Sequence, residues 1–169
     1  MTSEAVSDTG PVRHLWEIGQ QRLLTLFSRV YLPDAVKTEL QQQGIWEQLD
    51  PLPEVLFQVE SVSEEDIRSL LSTLAVPIQP TDASVAVLAK SVNPEVTLTD
   101  DLQLRKVLEG LELPVVGSVG LLIRGFKTGI FAKNELLTLI DRLFDGSTLY
   151  LSPVFKSHVK RLIEELSTQ

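Results

Sequence analysis

The sequence predicts an α/β fold with a mainly parallel central sheet and helices on both faces. Short β-branched or apolar runs alternate along the chain with amphipathic helical runs. The helical runs are roughly ten residues or longer, which suits the crossover that a parallel pair of strands requires. The 169 residues are 43% hydrophobic and 22% charged, enough for one domain, residues 1–169, with a substantial core.

"EAVS" opens the chain as a short strand, and Pro11 then sits in the first turn of a helix, where proline is tolerated. That helix, "PVRHLWEIG", places Val12, Leu15, Trp16 and Ile18 on one face and stops at Gly19. "QQRLLTLF" reads as a second short helix and "RVYL" as a strand. Pro33 and Asp34 open the next helix, "DAVKTELQQQ", which Gly44 ends. Two prolines precede a strand-like run from Val55 to Val59. Ser63 and Asp66 stand at cap-like spacing before an apolar face of Leu70, Leu71 and Leu74. "VPIQP" interrupts the pattern. "TDASVAVLAKS" follows as a helix of small residues suited to close packing on a sheet.

The second half is more regular. "EVTLT" is a strand, "DDLQLRKVLEG" a helix, "LPVVG" a strand and "SVGLLIRGFKTG" a helix. "AKNELLTLIDRLFDG" and "SPVFKSHVKRLIEELS" are two amphipathic helices. Val154, Phe155, Val159, Leu162 and Ile163 give the last one an apolar stripe for the core or a second subunit.

Composition removes several functions. With no cysteine there is no disulfide, thiolate zinc site or cysteine nucleophile, and two histidines are too few for a histidine-rich metal centre. No apolar run spans a bilayer and the first residues lack the pattern of a signal peptide, so a cytoplasmic protein is expected. A net charge of −8 argues against a broad nucleic-acid-coating surface, though not against a local basic strip beside an acidic pocket.

In open α/β sheets, ligands bind beyond the carboxyl ends of the strands. Asp8 follows the first strand, and Asp100 and Asp101 follow "EVTLT", so these acids can share one edge. Glu39 lies on the helix after "RVYL", and Asp82 opens the small-residue helix. Each has an ordinary alternative. Asp8, Thr81, Asp82 and Asp100 are all able to cap helices, and a lone glutamate is usually solvated. Thr9 is equally able to cap the first helix, which leaves Asp8 less necessary there. Clustered carboxylates repel unless protons or cations neutralise them, and oxygen donors without histidine or cysteine favour magnesium or manganese.

The order of "SDTGPV", "RVYLPDAVKTEL", "TDASVAVLA", "LTDDLQLRKV", "LPVVGSVGLLIRGFKTG" and "YLSPVFKSHV" resembles the PIN-domain nucleases, from about Val6 to about Val159. Within them it looks like a subgroup of prokaryotic nucleic-acid-binding proteins related to the toxins of toxin–antitoxin pairs. The resemblance implies a three-layer α/β/α fold and cleavage of RNA with Mg2+ or Mn2+. It implies Asp8, Glu39, Asp82 and Asp101 as catalytic acids, with Asp8, Asp82 and Asp101 about the metal, which makes Thr9 the better candidate for the cap of the first helix. Thr81 and Asp82 stand where the subgroup often carries glycine and glutamate. The segment from Gly44 to Pro80 permits no transfer of residues.

The expected function is therefore a metal-dependent endoribonuclease, as a toxin with an antitoxin protein partner, forming a homodimer and needing no membrane. Glu39 would orient or deprotonate the attacking water. Thr9 or Thr99 would bind a phosphate oxygen. Arg13, Arg105 and Lys106 lie just beyond the acidic turns and would contact flanking phosphates, although a solvated surface is the commoner place for such cations. His14 reads as a packed or surface histidine, and Trp16 and Trp46 as core or interface residues. The alternative is a non-catalytic PIN-like module that binds RNA or protein. A phosphoacceptor receiver would need a late-strand lysine, which "VVGSVG" lacks, and a haloacid-dehalogenase-like phosphatase would need D-x-D where "DTG" stands.

Overall fold

The computed structural model describes residues 3–49 and 56–166. Val55, Pro51 and Pro53 of the predicted middle segment lie outside them. The described strands are β1 (Glu4–Ser7), β2 (Arg29–Pro33), β3 (Leu56–Glu60), β4 (Val96–Leu98) and β5 (Val115–Val116). They form one sheet in the order β3-β2-β1-β4-β5, with every neighbouring pair parallel. Val6 pairs with Tyr31, Ser7 with Leu98, and Leu98 with Val116. The carboxyl ends of β1, β4 and β5 therefore lie side by side. Strand order reverses between β1 and β4, the place where such sheets open a crevice.

"EAVS" is short but central. Ala5, Val6 and Ser7 are fully buried, as expected of a parallel strand covered on both faces. The helices α1 (Thr9–Glu17), α7 (Ser118–Lys127), α8 (Lys133–Gly146) and α9 (Pro153–Glu165) make one packed group. In the other, α5 (Pro80–Val92) lies on β1 and β2 with α4 (Glu64–Thr73) and α6 (Leu102–Gly110) beside it. The small side chains of α5 explain that close approach: Ala83, Ser84, Val85, Ala86 and Ala89 are all buried. α2 (Asp34–Gln42) packs on α1, β2 and α5, and α3 (Trp46–Leu49) follows it. The architecture is a three-layer α/β/α sandwich.

Several local expectations change. Gln21–Leu26 is a 3₁₀ helix rather than an α-helix. Gly19 and Gly44 do end their helices, each in the left-handed region (φ +69°) that other residues avoid. Ser63 caps α4, accepting from the Asp66 amide, but no residue of α4 is buried. Leu70, Leu71 and Leu74 are half-buried instead and border grooves of about 330–400 Å³ along the helix. In α9 only Val159 and Ile163 reach the core, whereas Val154, Phe155 and Leu162 remain exposed.

Two polar clamps hold the last helices. Lys133 Nζ donates to the carbonyls of Glu164 and Leu166 at the end of α9, where a cation also suits the helix dipole. Glu17 accepts from the backbone and hydroxyl of Thr148 and from Arg13 Nε, which fixes the α8–α9 turn against α1. These donors hold the Glu17 carboxyl below its ordinary pKa despite the opposing effect of burial.

One core group is unsatisfied. Thr97 in β4 is fully buried and its hydroxyl has no partner among the described residues. Because an unpaired buried hydroxyl is costly, Thr97→Val is expected to stabilise the protein by about 1 kcal/mol. Urea denaturation checks this, and a lower midpoint for the variant would refute it.

Candidate active site

The site grows from the carboxyl edge of the sheet. After Ser7 the chain leaves β1, and the Asp8 amide still bonds to the Leu98 carbonyl of β4 at 2.9 Å. Asp8 has the extended backbone of a cap residue (φ −75°, ψ 167°), and its Oδ1 accepts from the Thr9 amide at 2.8 Å. This corrects the sequence reading. Asp8, not Thr9, caps α1, and the helix begins at Thr9 rather than near Pro11.

Thr9 has a different task. Its hydroxyl donates to Glu39 Oε2 at 2.5 Å, joining α1 to the second turn of α2. Val36 and Leu40 are buried around Glu39, so that face of α2 is fixed and the half-buried carboxylate turns towards β1.

Thr99 joins the other two strands. Its amide bonds to the Val116 carbonyl of β5, and its hydroxyl donates to Asp8 Oδ2 at 2.9 Å. The Thr99 hydroxyl oxygen also accepts from the Asp101 amide at 3.1 Å. The Thr9 and Thr99 hydroxyl protons are thus committed to acids, not presented to a phosphate. Asp101 caps α6, accepting from the Leu104 amide at 2.8 Å, and it is exposed. Asp82 is not a cap: Gln79 holds that position in α5, and Asp82 sits half-buried in the first turn.

Two of the four acids, Asp8 and Asp82, are perturbed by their neighbours. Asp8, 7% exposed, has its carboxyl pushed up to about 7, first by burial and then by the charge of Asp82, with Glu39 adding to it. The Thr9 amide and Thr99 hydroxyl act in the opposite direction. Asp82 is also raised, by burial first and then by Asp101 and Glu39. Like charges gathered in partial burial favour protonation or a counter-cation.

Asp100 points elsewhere. Its Oδ1 accepts from the Ser118 amide at 2.7 Å, and its Oδ2 meets the Ser118 hydroxyl at 2.5 Å and His14 Nδ1 at 2.7 Å. Of the two places the sequence allows His14, packed or on the surface, the structure shows the packed one, with His14 nearly buried. Its partnership with Asp100 was not foreseen, nor was Ser118. The available signal was "GS" directly after the last predicted strand, at the ligand edge.

The cations beyond the acidic turns are partly or fully exposed. Arg13 is held by Glu17 at 2.9 Å. Arg105 is a third exposed and lies 4.0 Å from Glu109. Lys106 borders the groove between α4 and α6.

The donor set suits a hard divalent ion. It consists of carboxylate and hydroxyl oxygens, and His14 is occupied by Asp100. Among the described residues, however, no three acidic or histidine side chains converge closely enough to enclose one ion. That arrangement fits magnesium or manganese held through one or two carboxylates and otherwise through water, not a dry all-protein cage.

A family model, DUF3368: PIN domain, matches residues 4–165 of the chain. Comparison with curated proteins and with solved structures finds no match.

Proposed function

The chain belongs to the PIN-domain family, a nuclease-type fold, and from that premise we propose that it is a metal-dependent endoribonuclease. The supporting observation is that Asp8 and Asp101 follow the adjacent strands β1 and β4, that Thr9 ties Glu39 to the same edge, and that the charges of Asp82 and Glu39 add to burial in raising the Asp8 carboxyl.

Asp8 and Asp101 would hold Mg2+ or Mn2+, directly or through water, with Asp82 completing the shell. The bound ion would polarise the scissile phosphate and lower the pKa of a nearby water. Glu39 is the general base. Its Oε2 is held by Thr9, which leaves Oε1 to accept the proton of the attacking water. Thr99 keeps Asp8 and the Asp101 backbone in fixed relation. Arg105, whose guanidinium reaches the Gly117 backbone beside the Thr99–Asp101 turn, would supply local positive charge for a flanking phosphate against a net charge of −8.

A toxin role, an antitoxin partner and a homodimer belong to the same proposal and rest on the family resemblance. No helix among the described residues is long and apolar enough to cross a membrane.

The test is cleavage of a mixed RNA pool with magnesium, with EDTA, and after Asp8→Asn. Cleavage that ends in both controls supports the reading; cleavage that survives both overturns it. The loose spacing of the acids favours one rival, a PIN-like module that binds RNA or protein without cutting. Calorimetric titration with manganese separates the two, since the rival predicts no binding near neutral pH.

A further inference from the structure

The two aspartates after β4 are chemically identical neighbours with opposite fates. Asp101 is exposed at the acidic edge, whereas Asp100 turns inward, with a side chain 10% exposed. Each hydrogen-bond partner of Asp100 comes from another element, and a carboxylate there accepts from the Nδ1–H tautomer of His14. His14 comes from α1, and the Ser118 amide and hydroxyl come from the first residue of α7. Ser118 is fully buried and His14 nearly so, so these bonds are shielded from water.

The backbone makes room for this arrangement. A Cβ on Gly117 would lie 2.7 Å from Asp100 Oδ1 and 3.2 Å from the Thr99 carbonyl oxygen. A side chain at position 117 would therefore press directly on the Thr99–Asp101 turn. Glycine lets the turn seat against the start of α7.

Asp100 touches none of the four acids through a hydrogen bond, yet it is the middle residue of the turn that positions two of them. Thr99 precedes it and donates to Asp8, while Asp101 follows it and is itself a candidate ligand. We propose that Asp100, clamped by His14 and Ser118, is a positioning residue that fixes the Thr99–Asp101 turn and through it the metal-binding geometry of Asp8 and Asp101. The inference rests on the metal-site reading above, and it assigns Asp100 and Asp101 separate work.

The experiment uses the full chain and two replacements of His14. His14→Leu keeps bulk and removes the donor, whereas His14→Gln restores an amide donor to Asp100. Manganese affinity is read by calorimetry at a temperature where circular dichroism shows each protein folded. His14→Leu is expected to weaken manganese at least about tenfold, the scale on which partners behind metal ligands act, and His14→Gln to recover most of the loss. Amide hydrogen exchange without metal is the second readout: the Asp101 amide, which donates to Thr99, should exchange faster in His14→Leu. Should His14→Leu fail to fold, Ser118→Ala removes one donor from the same carboxylate and carries the same expectations.

A folded variant with wild-type manganese affinity and unchanged Asp101 exchange overturns the inference. A wild-type protein that binds no manganese overturns the metal-site reading and the metal half of this one. The exchange measurement still decides whether Asp100 holds the turn.

Discussion

Asp8→Asn is expected to make the metal-free protein more stable at pH 8 while ending cleavage. The folded protein holds the Asp8 carboxyl near 7, against an ordinary value of 3.8. Between those two values the folded chain keeps a proton that the unfolded chain has lost. Stability therefore falls as pH rises from about 4 to about 7 and stays low above that. At 1.36 kcal/mol per pH unit, the ionised Asp8 costs on the order of 4 kcal/mol at pH 8. Asparagine carries no charge to desolvate or to repel Asp82 and Glu39. It keeps an acceptor for the Thr9 amide but offers an amide nitrogen to Thr99, so part of the gain is lost.

A net stabilisation of about 2–3 kcal/mol remains, which at 2–4 °C per kcal/mol raises the melting temperature by roughly 4–12 °C. Thermal melts in EDTA from pH 5 to pH 8 check this. The wild-type curve should descend with pH and the variant curve should be flatter; parallel curves would refute it. Added manganese at pH 8 should raise the wild-type melting temperature and leave the variant unmoved, because only the wild type retains the central ligand.

Gly125→Ala is expected to destabilise the protein by about 1–3 kcal/mol, although alanine favours helices. Gly125 is buried in α7, and a Cβ there would lie 2.6 Å from Leu23 Cδ2, 2.7 Å from Phe131 Cζ and 2.9 Å from Phe131 Cε1. Leu23 is fully buried and Phe131 nearly so, which leaves neither side chain room to retreat. Gly110, at the end of α6, is the control: a Cβ there meets nothing within 4 Å. Gly110→Ala should be neutral or mildly stabilising. Urea denaturation of both variants is the measurement, and equal midpoints would show that the Leu23–Phe131 contact yields easily.

The parallel sheet was legible because its cause is local. Runs such as "RVYL" and "EVTLT" announce strands, and the helical runs between them are long enough to cross over. The edge positions of Asp8 and Asp101 followed from that alone. Glu39 and Asp82 did not. They entered through family resemblance, since nothing near Glu39 signals a bond to a threonine 30 residues earlier. The cap of α1 was misassigned because Asp8 and Thr9 are adjacent residues of equal capping ability. Pro11 also suggested a later start, yet proline is tolerated throughout a first turn. α3 has only four residues, too few to show a period. The choice between Asp100 and Asp101 was illegible for a deeper reason. It depends on a vacancy at Gly117 and donors at His14 and Ser118, all far away in sequence.

β1 is both the first strand of the chain and the middle of the sheet, and that has a kinetic consequence. Its pairing with β2 joins Glu4 to Arg29, a short loop to close, but the Thr99–Asp8 bond spans 91 residues. Loop closure grows costlier with separation, and distant pairings slow folding. The acids cannot gather until β4 reaches β1, so the assembled site is a product of the longest-range pairing in the sheet. An intermediate holding only β1, β2 and β3 would keep Asp8 and Glu39 apart from Asp101, so the acidic edge would be incomplete in it.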